Sequence, residues 1–396
     1  MFDQLEAAFA AKGVILEVDE ERHSDDEDSF EGDELVAFFL SFISRAKDVA
    51  VGDEELRRRL ADLPVGPTTV RDQAGLELAM TLRHAWDREL ADTGGIDYSD
   101  MIGQAVEHLE TGRWTPTDDL ILVDEFQDMS TSRIRLLNAL LEREGSRLFG
   151  VGDDWQGING FAGSDVRAVT EFEREFGCGT ILHLEETFRF PQALANLSRD
   201  FVQKNPDQLR KAVRSMSKAS KPVIRAHAGV ADSDVRDAVV RWLEKHAERV
   251  GELDDQNERP SVMLLGRNRT IYQYLTKSVV KRFRKSLEIE SRTIHTSKGA
   301  EADYVVVPQM LRGRFPSMRE TDPVLQLVMP KPERFALAEE RRLFYVALTR
   351  ARIQVSLLTV KGRESQFLNE LVKDGVVEIQ PLSAPAPVAL ANADER

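Results

Sequence analysis

The sequence predicts an α/β fold with parallel strands, preceded by a helical region, and three observations carry that reading. Residues 120 to 128 read LILVDEFQD, in which Leu120, Ile121, Leu122 and Val123 form a buried strand that delivers Asp124 and Glu125 at its carboxyl end. A second apolar run, RLFGVGD at 147 to 153, follows one helix-length later and again ends in glycine and acid. From there to about residue 360 strand and helix patterns alternate, as crossover connections between parallel strands require.

Taken in order, residues 1 to 16 carry an amphipathic helix pattern (Phe2, Leu5, Phe9) running into a strand at Val14 to Leu16. Between Glu17 and Glu34, 11 of 18 residues are acidic, which predicts a solvated loop because like charges repel and no apolar face offsets them. Helical periodicity predicts helices over Leu35 to Ala46, Glu54 to Leu63 and Thr69 to Leu90. After the strand at 120 come a helix over Arg133 to Glu144, the RLFGVGD strand and a helix over Val166 to Phe176. Further strands are predicted at Pro222 to His227, Ser261 to Gly266, Tyr304 to Pro308 and Gln354 to Thr359. Helices are predicted at Pro191 to Asn205, Asp232 to Val250, Ile271 to Arg284 and Ala338 to Thr349. The carboxyl end, PLSAPAPVALANADER, is rich in Pro and Ala and predicts a frayed tail.

Composition bounds the function classes. A chain of 396 residues with 42% hydrophobic and 31% charged residues buries real cores and has room for two or three domains. The net charge of -15 argues against wrapping nucleic acid over the whole surface, so any such contact is local, along a groove. One cysteine, Cys178, excludes an internal disulfide and fits a reducing cytosol. The longest notably apolar run, Leu35 to Ile43, is far short of the roughly 20 residues of a membrane helix.

Several clusters carry chemistry. A strand-end carboxylate pair such as Asp124 and Glu125 suits a Mg²⁺-phosphate group, one acid facing the metal shell and the other orienting a water; the same pair also suits a solvated turn. In VGDDWQGINGFAGSD, residues 151 to 165, Gly152 permits a sharp turn and Gln156 offers a neutral amide to a phosphate or its attacking water. Trp155 and Phe161 are loop aromatics, candidates either to stack on unpaired bases or to anchor the loop. LEETFRFP, 184 to 191, fixes Arg189 between two aromatics ahead of a proline at a helix start. RTIHTSKGAEADYVVV, 292 to 307, gathers His295, Thr296, Ser297 and Lys298 before a strand, a set of donors suited to a nucleic-acid backbone. EERRLFYVALTRAR, 339 to 352, is an amphipathic helix with Arg350 at its end, readable as a solvated helix terminus or as an arginine finger.

DEFQD, VGDDWQGINGFAGSD, TFRF, RTIHTSKGAEAD and RRLFYVALTRAR occur in the order and character of the later motifs of superfamily 1 DNA helicases of the UvrD/Rep type, which the sequence resembles over about residues 95 to 360. GDDWQ followed by FAGSD looks most like the bacterial helicase IV branch. The resemblance implies two RecA-like parallel-sheet domains, the first incomplete, with an amino-terminal helical subdomain. It divides the chain into a helical part with the acidic loop (1–115), the incomplete first domain (116–182), the second domain (183–370) and a flexible tail (371–396). It implies ATP and Mg²⁺ as cofactors, single-stranded DNA as partner and 3'-5' movement driven by ATP hydrolysis.

The resemblance also implies roles. Asp124 would hold Mg²⁺ through its water shell and Glu125 would be the general base. Gln156 would couple the γ-phosphate to the DNA-facing loop. Phe188 would stack near the adenine, Arg189 would contact the phosphates, Glu301 would take the ribose hydroxyl and Arg350 would be the finger. His295, Thr296 and the RFPS stretch, including Phe315, Pro316 and Ser317, would touch single-stranded DNA, with Phe161 as stacking platform.

The sequence departs from the family pattern in three places. No glycine is followed by lysine, so the phosphate-cradling GxxxxGK[ST] loop is absent, and the expectation is a carboxyl-terminal portion of a helicase, from a late start, a split gene or a truncation, inactive alone or partnered by a separate polypeptide bearing that loop. Gly157 and Asn159 stand where relatives often carry Ser and Tyr. Only residues 270–291 separate the GRNR turn (266–269) from Arg292, where UvrD and Rep insert a large subdomain; the gap holds Lys277, Lys281, Arg282, Arg284 and Lys285, either a solvated helix face or a DNA-backbone contact. The rival reading is a non-catalytic DNA-binding adaptor.

Overall fold

The computed structural model describes residues 28–142, 145–217, 223–229, 232–251, 259–319 and 321–381. The expected helix and strand within residues 1–16 lie outside them. Two compact units emerge. The first comprises Met1–Asp153, Asn159–Gly179 and Glu320–Pro332, and the second Asp154–Ile158, Thr180–Arg319 and Glu333–Arg396.

The first unit opens with four helices, α1 (Asp28–Asp48), α2 (Asp53–Ala61), α3 (Thr69–Thr93) and α4 (Tyr98–Glu110). Helix α1 starts at Asp28, so residues 28–34 of the expected acidic loop are helical; residues 17–27 lie outside the described residues. Phe39, Phe42 and Ala46 recur at helical spacing on α1, and Leu76, Ala79 and Met80 do so on α3; these stripes bury against each other and against Leu56. Leu327 and Val328, from the late segment after the short helix Pro323–Gln326, complete that core. Helix α3 stops at Gly94, left-handed with φ 65, and α4 starts on a reciprocal cap between Asp97 and Asp100. Lys47 of α1 forms ion pairs with Asp87, Asp97 and Asp100 at 2.7–2.9 Å and so ties three helices together.

Beside the helices lies a parallel pair, β1 (Leu120–Val123) and β2 (Arg147–Gly150), joined through α5 (Thr131–Leu141). One face packs on Phe126, Met129, Ile134 and Leu137, with Phe172 and Phe176 from the short helices that follow residue 166. The other face is open. Leu120, Leu122 and Phe149 are 53%, 68% and 55% exposed. The expectation of a buried strand is therefore corrected to a strand covered on one side, because among the described residues this sheet has two strands and a single helical layer.

The second unit is built on a six-stranded sheet in which every pairing is parallel. Its strands are β5 (Ile224–Gly229), β6 (Ser261–Gly266), β7 (Glu288–Thr293), β8 (Ala302–Val307), β9 (Ala351–Val360) and β10 (Ile379–Pro381), in the order β10-β5-β9-β8-β6-β7. Alternate residues feed two cores. Met263, Leu265, Val305, Val307 and Leu357 face α6 (Gln192–Val202), α9 (Ala338–Leu348) and α10 (Gln366–Lys373). Val262, Leu264, Val306 and Leu358 face α7 (Asp232–Gly251) and α8 (Lys277–Phe283). Coverage on both faces is why these strands read as unbroken apolar runs. A separate parallel pair, β3 (Glu186–Pro191) and β4 (Arg214–Ser217), stands ahead of them. Residues 371–381, expected to be tail, hold the end of α10, which runs to Lys373, and β10, which pairs with β5; the remainder of the expected tail lies outside the described residues.

Candidate functional site

In the first unit the carboxyl end of β1 presents Asp124 and Glu125, both exposed. The Asp124 carboxylate accepts the Glu125 N–H at 2.8 Å, and Glu125 is left-handed, with φ 51 and ψ 45. A non-glycine residue in that region costs about 1 kcal/mol or more, and such backbone is held in place by its surroundings. The holder is Gln127, fully buried, whose amide donates to the Glu125 carboxylate and whose carbonyl accepts the Asp153 N–H at 2.8 Å. Gly152 makes this approach possible. A Cβ there would meet the Gln127 Oε1 at 2.8 Å and the Phe126 Cβ at 2.9 Å. Sequence reasoning passed over Gln127; its signal is an amide between two acids directly after a strand end.

The loop carrying Phe161 is stitched to the same strand end. Ser164 donates to the Asp128 carbonyl at 3.1 Å, the Asp165 N–H donates to the Met129 carbonyl at 2.9 Å, and Arg45 donates to the Phe161 carbonyl. Phe161 itself is 55% exposed, as a stacking platform requires.

The second unit claims the short segment 154–158. Asp154 is buried and accepts from Gln208 at 2.6 Å, from the Leu209 N–H at 2.9 Å and from Lys211. Trp155 is buried too, its indole donating to the Leu209 carbonyl at 3.1 Å and meeting Tyr345 edge to face. This corrects its candidacy as a base-stacking aromatic: a loop residue has been drawn into a distant core. Arg342, buried on α9, donates to the Gly157 carbonyl, to Gln208 at 3.0 Å and to Glu333. Two adjacent arginines, 341 and 342, on a helix this apolar signal buried pairing, since charge without a partner does not survive there.

Arg350 is placed by α9 and is also buried. It donates to the Gln156 Oε1 at 3.3 Å, to the Ala300 carbonyl at 3.3 Å and to the Val346 carbonyl at 3.1 Å. The sequence reading set Gln156 beside the carboxylates of the first domain; this hydrogen bond joins it to Arg350. Arg350 is likewise not a solvated helix end. Next to Ala300, Glu301 pairs with Arg189 at 2.9 Å and with Arg352 at 3.5 Å. Phe188 is 76% exposed beside Arg189. Of the residues expected to act on a nucleotide, Arg189 pairs with Glu301, and Arg350 bonds to the carbonyl of the preceding residue, Ala300; Phe188 is next to Arg189 in the chain.

The expected DNA contacts are partly revised. His295 is half-buried and hydrogen-bonded to the Ile158 backbone; burial, then the charge of Arg267, push its pKa down to about 4, against that bond, so it serves as a neutral group. Thr296 is exposed and Ser317 half-buried. Phe315 and Pro316 are buried, with Phe315 against Phe344 and Phe367, which corrects both as side-chain contacts to DNA. In the basic cluster, Arg282 pairs with Glu244 at 2.6 Å.

No group of three or more His, Cys, Asp or Glu side chains that could hold a metal ion occurs among the described residues. Among them, too, no helix is long and apolar enough to cross a membrane. Asp124 fits a cation held mainly by water and phosphate oxygens, which needs one protein carboxylate rather than a cage.

Comparison with known proteins identifies the family. The UvrD/REP helicase N-terminal domain matches residues 9–177, and the UvrD-like helicase C-terminal domain matches residues 243–361. DNA helicase IV of Escherichia coli K12 is 34% identical over 346 residues, covering 81% of this chain and 48% of that protein. A probable DNA helicase of Mycoplasma pneumoniae is 26% identical over 293 residues, covering 71% of this chain and 52% of that protein. The ATP-dependent DNA helicase PcrA of Staphylococcus aureus is 22% identical over 175 residues, 43% of this chain and 24% of that protein. The chain therefore spans about half the length of the first two relatives. On its two domain matches, it belongs to the UvrD/Rep-type DNA helicase family.

Proposed function

We propose that this chain works in an ATP-dependent helicase that moves 3'-5' along single-stranded DNA. The observation that carries the reading is Arg350, a buried guanidinium held by Gln156 and the Ala300 carbonyl next to the Arg189–Glu301 pair. A fixed cation beside a neutral amide is what stabilises charge on a transferring phosphoryl group. Bound Mg²⁺ would supply further neutralisation of that charge. Asp124 would hold it through water, Glu125 would accept the proton of the attacking water, and Arg189 and Arg350 would face the phosphates. Phe188 would stack near the base and Glu301 would take the ribose hydroxyl. Phe161, Thr296, Ser317 and neutral His295 would meet the DNA strand. A lone exposed cysteine fits work in a reducing cytosol.

In this reading the phosphate-cradling loop comes from further polypeptide, because no glycine here precedes a lysine. The test is ATP hydrolysis by this chain joined to, or mixed with, a segment bearing that loop. Turnover should require single-stranded DNA, and Glu125→Gln should abolish turnover while sparing DNA binding. Equal rates with and without DNA would overturn the coupling.

The open apolar face of Leu120, Leu122 and Phe149 favours a second reading, in which this chain is a DNA-binding subunit of a divided helicase that receives its missing strands from a partner. That reading requires DNA binding and no ATP hydrolysis by the chain alone.

A further inference from the structure

Glu340 lies in the first turn of α9, buried, with its two oxygens divided between two elements. Oε1 accepts from the Arg267 Nε at 2.7 Å and Oε2 accepts the Ser317 N–H at 2.8 Å. One turn later on the same helix face, Phe344 packs edge to face on Phe315, with 5.6 Å between ring centroids. Helix α9 therefore grips the 314–317 loop twice, at its rim through Ser317 and at its base through Phe315. Helix α9 ends at Leu348, eight residues and about 12 Å beyond Glu340 at 1.5 Å per residue, and Arg350 follows two residues later. Nearly every residue between them is buried, and close-packed interiors transmit displacement instead of absorbing it.

We propose that Glu340 is a positioning residue: it fixes the 314–317 loop and Arg267 to the helix that leads directly into Arg350, so that the strand-contacting edge and the phosphate-facing arginine move as one body. The DNA part of this rests on the function proposed above; the positioning part does not. The exposed Arg314 and the half-buried Ser317 are then presented in a single geometry, and Arg267 is held by a carboxylate instead of swinging to the nearest phosphate.

Hydrogen–deuterium exchange on the full chain, with and without a labelled oligo-dT, tests it. Glu340→Ala should speed exchange at amides 314–319 at least tenfold and weaken oligo-dT binding at least tenfold. Glu340→Gln keeps an acceptor for the Ser317 N–H and should restore most of the protection. If Glu340→Ala fails to fold, Glu340→Met removes both acceptors while keeping the volume. Glu370→Gln, which removes the carboxylate paired with Arg341 on the same helix, is the control; it should leave exchange at 314–319 unchanged. Unaltered exchange at 314–319 in Glu340→Ala or Glu340→Met overturns the proposal. Faster exchange with unaltered oligo-dT affinity overturns the link to DNA. No oligo-dT binding by the unmodified chain sinks the DNA reading itself, and the exchange data still decide whether Glu340 positions the loop.

Discussion

Arg350 donates a hydrogen bond to the side-chain oxygen of Gln156 at 3.3 Å, joining residues 194 positions apart in the chain. If this pair senses the terminal phosphate, removing either partner should slow chemistry more than it weakens binding. Arg350→Lys in the ATP-hydrolysing polypeptide should cost on the order of a thousandfold in turnover. Gln156→Ala should abolish the stimulation by DNA and leave oligo-dT affinity within twofold. Steady-state ATPase assays with and without oligo-dT measure both, and undiminished turnover in Arg350→Lys would remove the arginine from the chemistry.

The two loop aromatics separate cleanly. Trp155→Ala opens a large cavity in the second unit's core and should destabilise the chain by about 3–5 kcal/mol. Phe161→Ala removes an exposed ring, so its thermal midpoint should match wild type while oligo-dT affinity falls by about 1–3 kcal/mol. Melting curves and fluorescence anisotropy on both variants decide it; the opposite assignment of effects would reverse the roles given to the rings.

His295 should stay neutral throughout the physiological range. Burial and Arg267 hold its folded pKa at about 4, below the ordinary 6.5 that an unfolded chain would show. Its contribution to stability is therefore complete above about pH 6.5 and is lost as pH falls toward 4, where the unfolded chain takes up a proton the folded one resists. The His295 Cε1–H resonance should not move between pH 5.5 and 8, and His295→Gln should flatten that part of the stability profile. A titration midpoint near 6.5 would contradict the placement.

Gly152→Ala should act on Glu125 without touching it. The added methyl meets the Gln127 Oε1 at 2.8 Å, and Gln127 is the residue that holds the Glu125 carboxylate. Overpacking of this kind costs about 1–3 kcal/mol, and ATP turnover should fall while oligo-dT binding persists. Full turnover would show that Gln127 does not position the base.

Legibility in the sequence followed local chemistry. Strands β6, β8 and β9 announce themselves because helices cover both faces and leave VMLLG, VVV and VSLLT as apolar runs. Edge strand β7, EIESRT, does not register as a strand because its charges guard a free edge, and β4, RSMS, is too short and polar to register. Asp124, Glu125, Arg189, Glu301 and Arg350 stand out as ordered motifs. What failed was any inference about a side chain whose partner is remote in sequence. Trp155 sits in a glycine-rich loop yet fills a core built from residues after 190, and Phe315 looks like a surface aromatic until Phe344 and Phe367 arrive beneath it. Glu340, Arg342 and Gln127 were invisible for the same reason, since each acts on a backbone atom that periodicity does not reveal.

Inheritance is constrained by the way Asp154–Ile158 belongs to a unit whose remaining residues begin at Thr180. No single break in the gene yields two intact halves. A fragment starting at 180 would lack Trp155 and Ile158 from its interior and leave Lys211 without Asp154, while a fragment ending at 179 would carry a bare indole and forfeit Leu327 and Val328 from its helical bundle. An engineered exchange of the second unit for a homologue's must therefore include residues 154–158 with it.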